Sequence, residues 1–161
     1  MATLTVWKFE DAEGAEIAVS TLEGLAKQQL ITVQDAATVS WPAGAKKPKT
    51  RQLHSLAGAG ALGGAFWGML FGLLFFIPLL GMAIGAAMGA LAGSLSDVGI
   101  DDEFIKRTRD EITPGTSALF LMSSGAVTDK VRDAFAGQRP KLVSTNLSDD
   151  QERALREVFA D

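Results

Sequence analysis

The chain has 161 residues, no cysteine, one histidine and a formal net charge of −4 at pH 7. These figures exclude disulfide staples, thiolate catalysis and Cys-ligated metals. They leave room for one domain with an insertion, or for a small domain carrying a membrane element. The fifteen Lys and Arg residues are scattered, so no basic face points to nucleic acid.

Residues 3–9, Thr-Leu-Thr-Val-Trp-Lys-Phe, read as a strand because Thr and Val favour sheets. They lack the basic start and small-residue cleavage site of a signal peptide. Asp11 is a candidate cap for a helix to about residue 28, whose apolar stripe is Ala15, Ala18, Leu22, Leu25 and Ala26. Leu30 to Trp41 is a second strand, and Trp41-Pro42-Ala43-Gly44 a turn. Residues 48–54 form a third, more polar strand.

Between Arg51 and Asp97 there is no charged residue. Two glycine ladders lie in this segment. Gly60, Gly64, Gly68 and Gly72 form the first, and Gly81, Gly85, Gly89 and Gly93 the second. They mirror each other about the Phe76–Ile77 bond. Glycine at every fourth position lies on one helical face and admits a second backbone at short range. Pro78 disfavours helix at Ile77, so Phe76, Ile77 and Pro78 are expected to form the turn of a helical hairpin. At about 1.5 Å per residue the arms reach roughly 33 and 27 Å, close to the thickness of a bilayer core. Glycine in a water-exposed helix costs about 1 kcal/mol relative to alanine, a cost that lipid and close packing offset. The tip is apolar, and three arrangements accommodate it: it reaches the far interface, stops inside the bilayer, or is buried in protein in a water-soluble assembly. Lys46, Lys47, Lys49 and Arg51 before the segment and Lys106, Arg107 and Arg109 after it place both termini in the cytosol.

After the segment, a helix is expected from about Asp101 with Phe104, Ile105, Thr108 and Ile112 on one face, ended by Pro114-Gly115. Ser117 to Ser123 is a strand whose unbroken apolar run indicates burial on both faces. Val127, Val131 and Phe135 mark a short helix, and Lys141 to Leu147 another strand. Ser148 and Gln151 make a capping box for a last helix.

The fold expected from this order is α+β. The first six elements make a ferredoxin-like βαββαβ sandwich, followed by a C-terminal helix-strand-helix extension and interrupted by the glycine-zipper hairpin. The division is residues 1–54 and 97–161 as halves of a cytosolic domain, with 55–96 as a membrane-embedded hairpin.

Candidate chemistry is sparse. The mirror relation puts His54 within about a turn of Asp97 at the base of the hairpin, where a contact between them would sense pH near neutrality; the alternative is a plain interfacial or strand-end histidine. Asp97, Asp101, Asp102 and Glu103 form an acidic knot that reads as helix capping, since acids are favoured at helix starts. Ser123-Ser124-Gly125 is a loop with a helix start rather than an anion nest. Met69, Met82 and Met88 read as gap-filling packing residues. No catalytic, cofactor-binding or metal-ligating set is present.

Three separated motifs occur in order: Val98-Gly99-Ile100-Asp101-Asp102-Glu103-Phe104-Ile105-Lys106, Pro114-Gly115-Thr116-Ser117-Ala118-Leu119-Phe120 and Leu142-Val143-Ser144-Thr145-Asn146-Leu147-Ser148. Together with the glycine-rich segment they resemble a bacterial family known as domain of unknown function 1269. The resemblance implies a bacterial membrane-associated protein linked by analogy to stress, and it supplies no reaction. The expected function is a non-enzymatic, self-associating protein of the bacterial cytoplasmic membrane with a scaffolding role, its partners being itself and the bilayer. The alternatives are an oligomeric channel or transport component and a membrane-anchored ligand-sensing domain.

Overall fold

The computed structural model describes residues 2–31, 33–53, 67, 70–76 and 102–147. Five strands form one sheet: β1 (Ala2–Phe9), β2 (Val33–Trp41), β3 (Lys49–Gln52), β4 (Thr116–Ser124) and β5 (Lys141–Leu147). Their order across the sheet is β3-β2-β4-β1-β5, and every neighbouring pair is antiparallel. Three helices complete the described elements: α1 (Gly14–Lys27), α2 (Asp102–Glu111) and α3 (Gly125–Ala134).

β4 occupies the centre because its side chains are apolar in both directions. Ala118, Phe120 and Met122 point into one cluster, while Leu119 and Leu121 point into the other. Strand side chains alternate between faces, so an unbroken apolar run is stable only with a covering layer on each side. On one face the cover is α1, through Ala15, Ala18, Val19 and Leu22, with Val131 of α3 and Phe135 just beyond it. Phe135 meets Trp7 of β1 edge to face, with ring centres 5.5 Å apart. The α1 register depends on Gly14, where a Cβ would lie 2.5 Å from Cβ of Phe9. Ser117 of β4 fastens the same end, accepting a hydrogen bond from the Ala15 N–H at 2.9 Å and donating to the Asp11 carbonyl at 2.7 Å.

The other face is covered by Phe104, Ile105 and Ile112 at α2 and by Trp67, Leu70, Phe71, Leu74 and Phe75. Residues 72–76 form a π-helical turn. Phe71 meets Phe120 edge to face at 5.2 Å and stacks on Phe75 at 6.3 Å. The result is three layers, with the sheet in the middle.

Two expectations are corrected here. The expected ferredoxin-like arrangement, built from the first six elements, needs the third strand inside the sheet and the strand at 117–123 on an edge. Instead β4 is central and β3 is the edge. The physical reason is side-chain polarity: Lys49, Thr50 and Arg51 of β3 are exposed, and charged residues suit an edge strand, whereas β4 has no solvated face. β5, expected in the extension, pairs with β1 and belongs to the main sheet.

The second correction concerns the membrane. No helix among the described residues is long and apolar enough to cross one. The described portion of the expected hairpin is a protein layer: Trp67, Leu70, Phe71, Leu74 and Phe75 are each at most 7% exposed against the sheet. This overturns the placement in the bacterial cytoplasmic membrane, the transmembrane helices and the membrane-embedded glycine-zipper hairpin. An apolar run looks the same in sequence whether it covers a sheet or meets lipid. Here the second face of β4 takes its described part.

Replacing Phe71 with alanine tests this assignment. A buried Phe→Ala change removes about 3–5 kcal/mol of stability. Urea denaturation of F71A is expected to show that loss. An unchanged midpoint would mean that residue 71 lies outside the domain core.

Candidate functional site

Where the covering layer on the second face meets the β2–β3 connection, the packing leaves a cleft of about 220 Å³. Its lining is Trp41, Lys46, Pro48, Leu74, Phe75, Arg109 and Ile112. Four separate segments bring these residues together, and the local chemistry of each explains its place.

Trp41 ends β2, and its carbonyl accepts a hydrogen bond from the Gly115 N–H at 2.6 Å. Gly115 has φ +87°, a left-handed conformation open to glycine at little cost. The Trp41 indole N–H donates to the Ala45 carbonyl at 3.0 Å, closing the turn over its own ring. The ring then meets Phe75 edge to face at 6.1 Å. Trp41 is thus held from both ends and forms a firm aromatic wall.

Leu74 and Phe75 come from the π-helical turn. The wider turn displaces carbonyls from ordinary helical pairing, and such turns recur at functional positions. The Leu74 carbonyl accepts a hydrogen bond from Nε of Arg109 at 3.2 Å. Arg109 is in the last turn of α2, one turn before Ile112. An ionic cluster pins the end of that helix: Glu111 accepts from Lys141 of β5 at 2.5 Å and lies 3.9 Å from Lys8 of β1. Lys8 also pairs with Glu10 at 3.0 Å. The cations of β1 and β5 therefore set the position of Arg109 and Ile112.

Lys46 comes from the β2–β3 connection and is exposed. Among the described residues it pairs with no carboxylate. Long cationic side chains can cover apolar surface with their stems while the charged head stays in water. The cleft thus has an apolar interior of Trp, Leu, Phe, Pro and Ile, and two cations at its edge.

A second concavity of about 390 Å³ follows β2 and β3, lined by Glu16, Thr38, Ser40, Lys49, Thr50 and Arg51. Every residue that lines it is polar or charged. Its guanidinium is already neutralised, since Arg51 pairs with Glu16 at 2.6 Å. The first cleft is therefore the better candidate for a ligand.

The residues singled out in sequence are mostly elsewhere. Gly72 opens the π-helical turn and Phe76 closes it. Gly60, Gly64, Gly68, Gly81, Gly85, Gly89, Gly93, Ile77 and Pro78 lie outside the described residues, as do His54, Asp97, Asp101, Met69, Met82, Met88 and the helix expected from Ser148. Asp102 and Glu103 open α2, Ser124 ends β4 and Gly125 begins α3. Among the described residues no group of three His, Cys, Asp or Glu side chains could hold a metal ion. The cleft residues Trp41, Lys46 and Arg109 appear in the sequence only as a turn residue and as flanking charges. The signal that finds them is the apposition of Trp-Pro and a cationic loop with a helix that ends in Arg and Ile, and it becomes visible only once β2 and α2 are neighbours.

A family model described as "Protein of unknown function (DUF1269)" matches residues 61–160. No curated protein and no solved structure matches the chain. The matched span contains Leu74, Phe75, Arg109 and Ile112, whereas Trp41, Lys46 and Pro48 precede it.

The bond between Arg109 and the π-helical turn has a measurable consequence. Arg109→Met removes the donor to the Leu74 carbonyl and is expected to cost up to about 1.5–3 kcal/mol, the range for a hydrogen bond to a charged group. Lys46→Met, at an exposed site, is expected to stay within about 0.5 kcal/mol of the parent. Chemical denaturation of the two variants side by side checks both. Equal stabilities would remove Arg109 as the tie between α2 and the turn.

Proposed function

The chain belongs to the family of proteins of unknown function DUF1269, and from that premise we propose that it is a non-enzymatic ligand-binding domain whose binding site is the cleft between Trp41, Phe75 and Arg109. This is the ligand-sensing alternative without its membrane anchor. One observation carries it: a cleft of about 220 Å³ lined mostly by apolar side chains, with Lys46 and Arg109 as its two charged lining residues. Ligand sites are concave and mostly apolar, with a few placed polar groups that orient the ligand.

The lining favours binding over chemistry. Among the described residues it contains no carboxylate, imidazole, thiol or hydroxyl side chain. It therefore lacks a general base beside a nucleophile, the pair that acyl or phosphoryl transfer needs. Lys46 is exposed to water, unlike the desolvated lysines that act as nucleophiles near neutral pH.

The site also sits where a ligand would be felt by the fold. It touches β2, the π-helical turn and α2, so an occupant bridges the sheet and its covering layer. A ligand that binds only the folded state stabilises it by mass action, by about 1.4 kcal/mol at ten times its dissociation constant.

Thermal unfolding in the presence of 1-hexanol, a neutral apolar probe of about the right volume, tests the site. A saturable rise in melting temperature is expected, and Ile112→Trp, which fills the cleft, is expected to abolish the response. A second variant, Leu74→Phe, guards against simple misfolding of the first. No concentration-dependent shift in the parent protein would sink the proposal.

A further inference from the structure

We propose that the all-polar concavity between α1, β2 and β3 is a second binding site, which takes a phosphate-type oxyanion on Thr38 and Lys49. It is separate from the apolar cleft and does not rest on the reading of that cleft.

The sheet register builds the site. Thr38 lies opposite Arg51 and Ser40 opposite Lys49, so the four side chains share one face of the sheet. It is the α1 face, because Thr38 also lies opposite Leu119, which packs in the α1 cluster. The result is a tile of two hydroxyls and two cations in a concavity of about 390 Å³, with Glu16 of α1 beside it.

The state of each group decides what the tile can bind. Arg51 and Glu16 are paired at 2.6 Å and offset each other's charge. Ser40 donates its hydroxyl to the Ala12 carbonyl at 2.7 Å. Two groups are left. Lys49 is exposed and pairs with no carboxylate among the described residues. Thr38 is only 3% exposed. Its hydroxyl nevertheless has no hydrogen-bond partner among the described residues, and it keeps access to the concavity. Buried hydroxyls are as a rule hydrogen-bonded, because an unmet one carries a desolvation cost. A ligand oxygen completes this one.

The chemistry of the ligand follows from what is unanswered. Two cations against one carboxylate leave the lining with a net charge of +1 among the described residues. Lys49 offers three N–H groups and Thr38 an O–H, so the partner needs negative charge and several acceptor oxygens. Thr38 and Lys49 are diagonal neighbours, about 7–8 Å apart across the two strands. A tetrahedral oxyanion presents acceptors in all directions and meets both, whereas a carboxylate presents its oxygens on one side. The absence of an apolar lining residue lets a strongly hydrated anion keep part of its water, which lowers the cost of entry. The same lining offers nothing to an apolar ligand.

The test is a titration of the full chain with inorganic phosphate at pH 7.5, with ionic strength held constant by sodium chloride. The backbone amide resonances of Thr38 and Lys49 report on the site. A saturable shift centred on β2 and β3 is expected. Glycerol phosphate, run in parallel, separates two sources of the same chemistry. Tighter binding than phosphate assigns the phosphoryl group of a small molecule, and equal or weaker binding assigns free phosphate. Lys49→Met is expected to weaken phosphate about two- to tenfold. Thr38→Val is expected to weaken it about three- to tenfold while the melting temperature holds or rises, since the change removes an unanswered hydroxyl. A lowered melting temperature in Thr38→Val would reveal a structural partner for that hydroxyl and overturn the proposal. So would the lack of a saturable shift, or unchanged phosphate affinity in Thr38→Val. Acetate binding as tightly as phosphate overturns the assignment of a phosphate-type ligand.

Discussion

The two-sided burial of β4 is the constraint on which the rest of the molecule depends. Phe120 and Leu121 are adjacent in sequence, fully buried, and point into opposite clusters. Each such side chain stabilises the fold by about 1.5–3 kcal/mol when removed from water. A sheet with that strand at its centre must therefore find two apolar layers. The amphipathic α1 and α3 supply one. The other has only Phe104 and Ile105 from α2 and Ile112 just beyond it, and so draws on Trp67, Leu70, Phe71, Leu74 and Phe75.

Supplying that second layer from an irregular segment has a geometric result. A straight helix laid on a sheet would pack its ridges against it along its length. The π-helical turn at 72–76 instead turns Leu74 and Phe75 toward Trp41 and leaves space beside them. The cleft lies beside that turn, at the place where β2 runs out into its loop. Its cationic edge follows from the same junction, since the connection to a charged edge strand carries Lys46 and the helix that closes the layer carries Arg109.

Much of the local structure was legible from residue pattern. The strand at 3–9 is observed as Ala2–Phe9, the helix expected to about residue 28 ends at Lys27, and the strand expected at Lys141–Leu147 has those bounds. Period and turn residues report short-range physics, so elements could be read. The apolar run at 117–123 even disclosed its own two-sided burial. What did not follow was the order of strands, because pairing is decided by which faces need covering and not by sequence adjacency. Taking β2 and β3 as consecutive inner strands gave β3 a central place, although its Lys-Thr-Arg-Gln sequence describes an edge.

The membrane reading failed for a related reason. Hydrophobicity states that a segment avoids water and does not state what receives it. For Trp67, Leu70, Phe71, Leu74 and Phe75 the receiving surface is Leu4, Val6, Ala37, Val39 and Phe120, residues at least 28 positions away in either direction. The cleft was invisible for the same reason, since Trp41 and Lys46 meet Arg109 only through that packing. The two halves of the site also differ in how they stand to the family: Leu74, Phe75, Arg109 and Ile112 fall within the matched span, while Trp41 and Lys46 belong to the part of the chain before it.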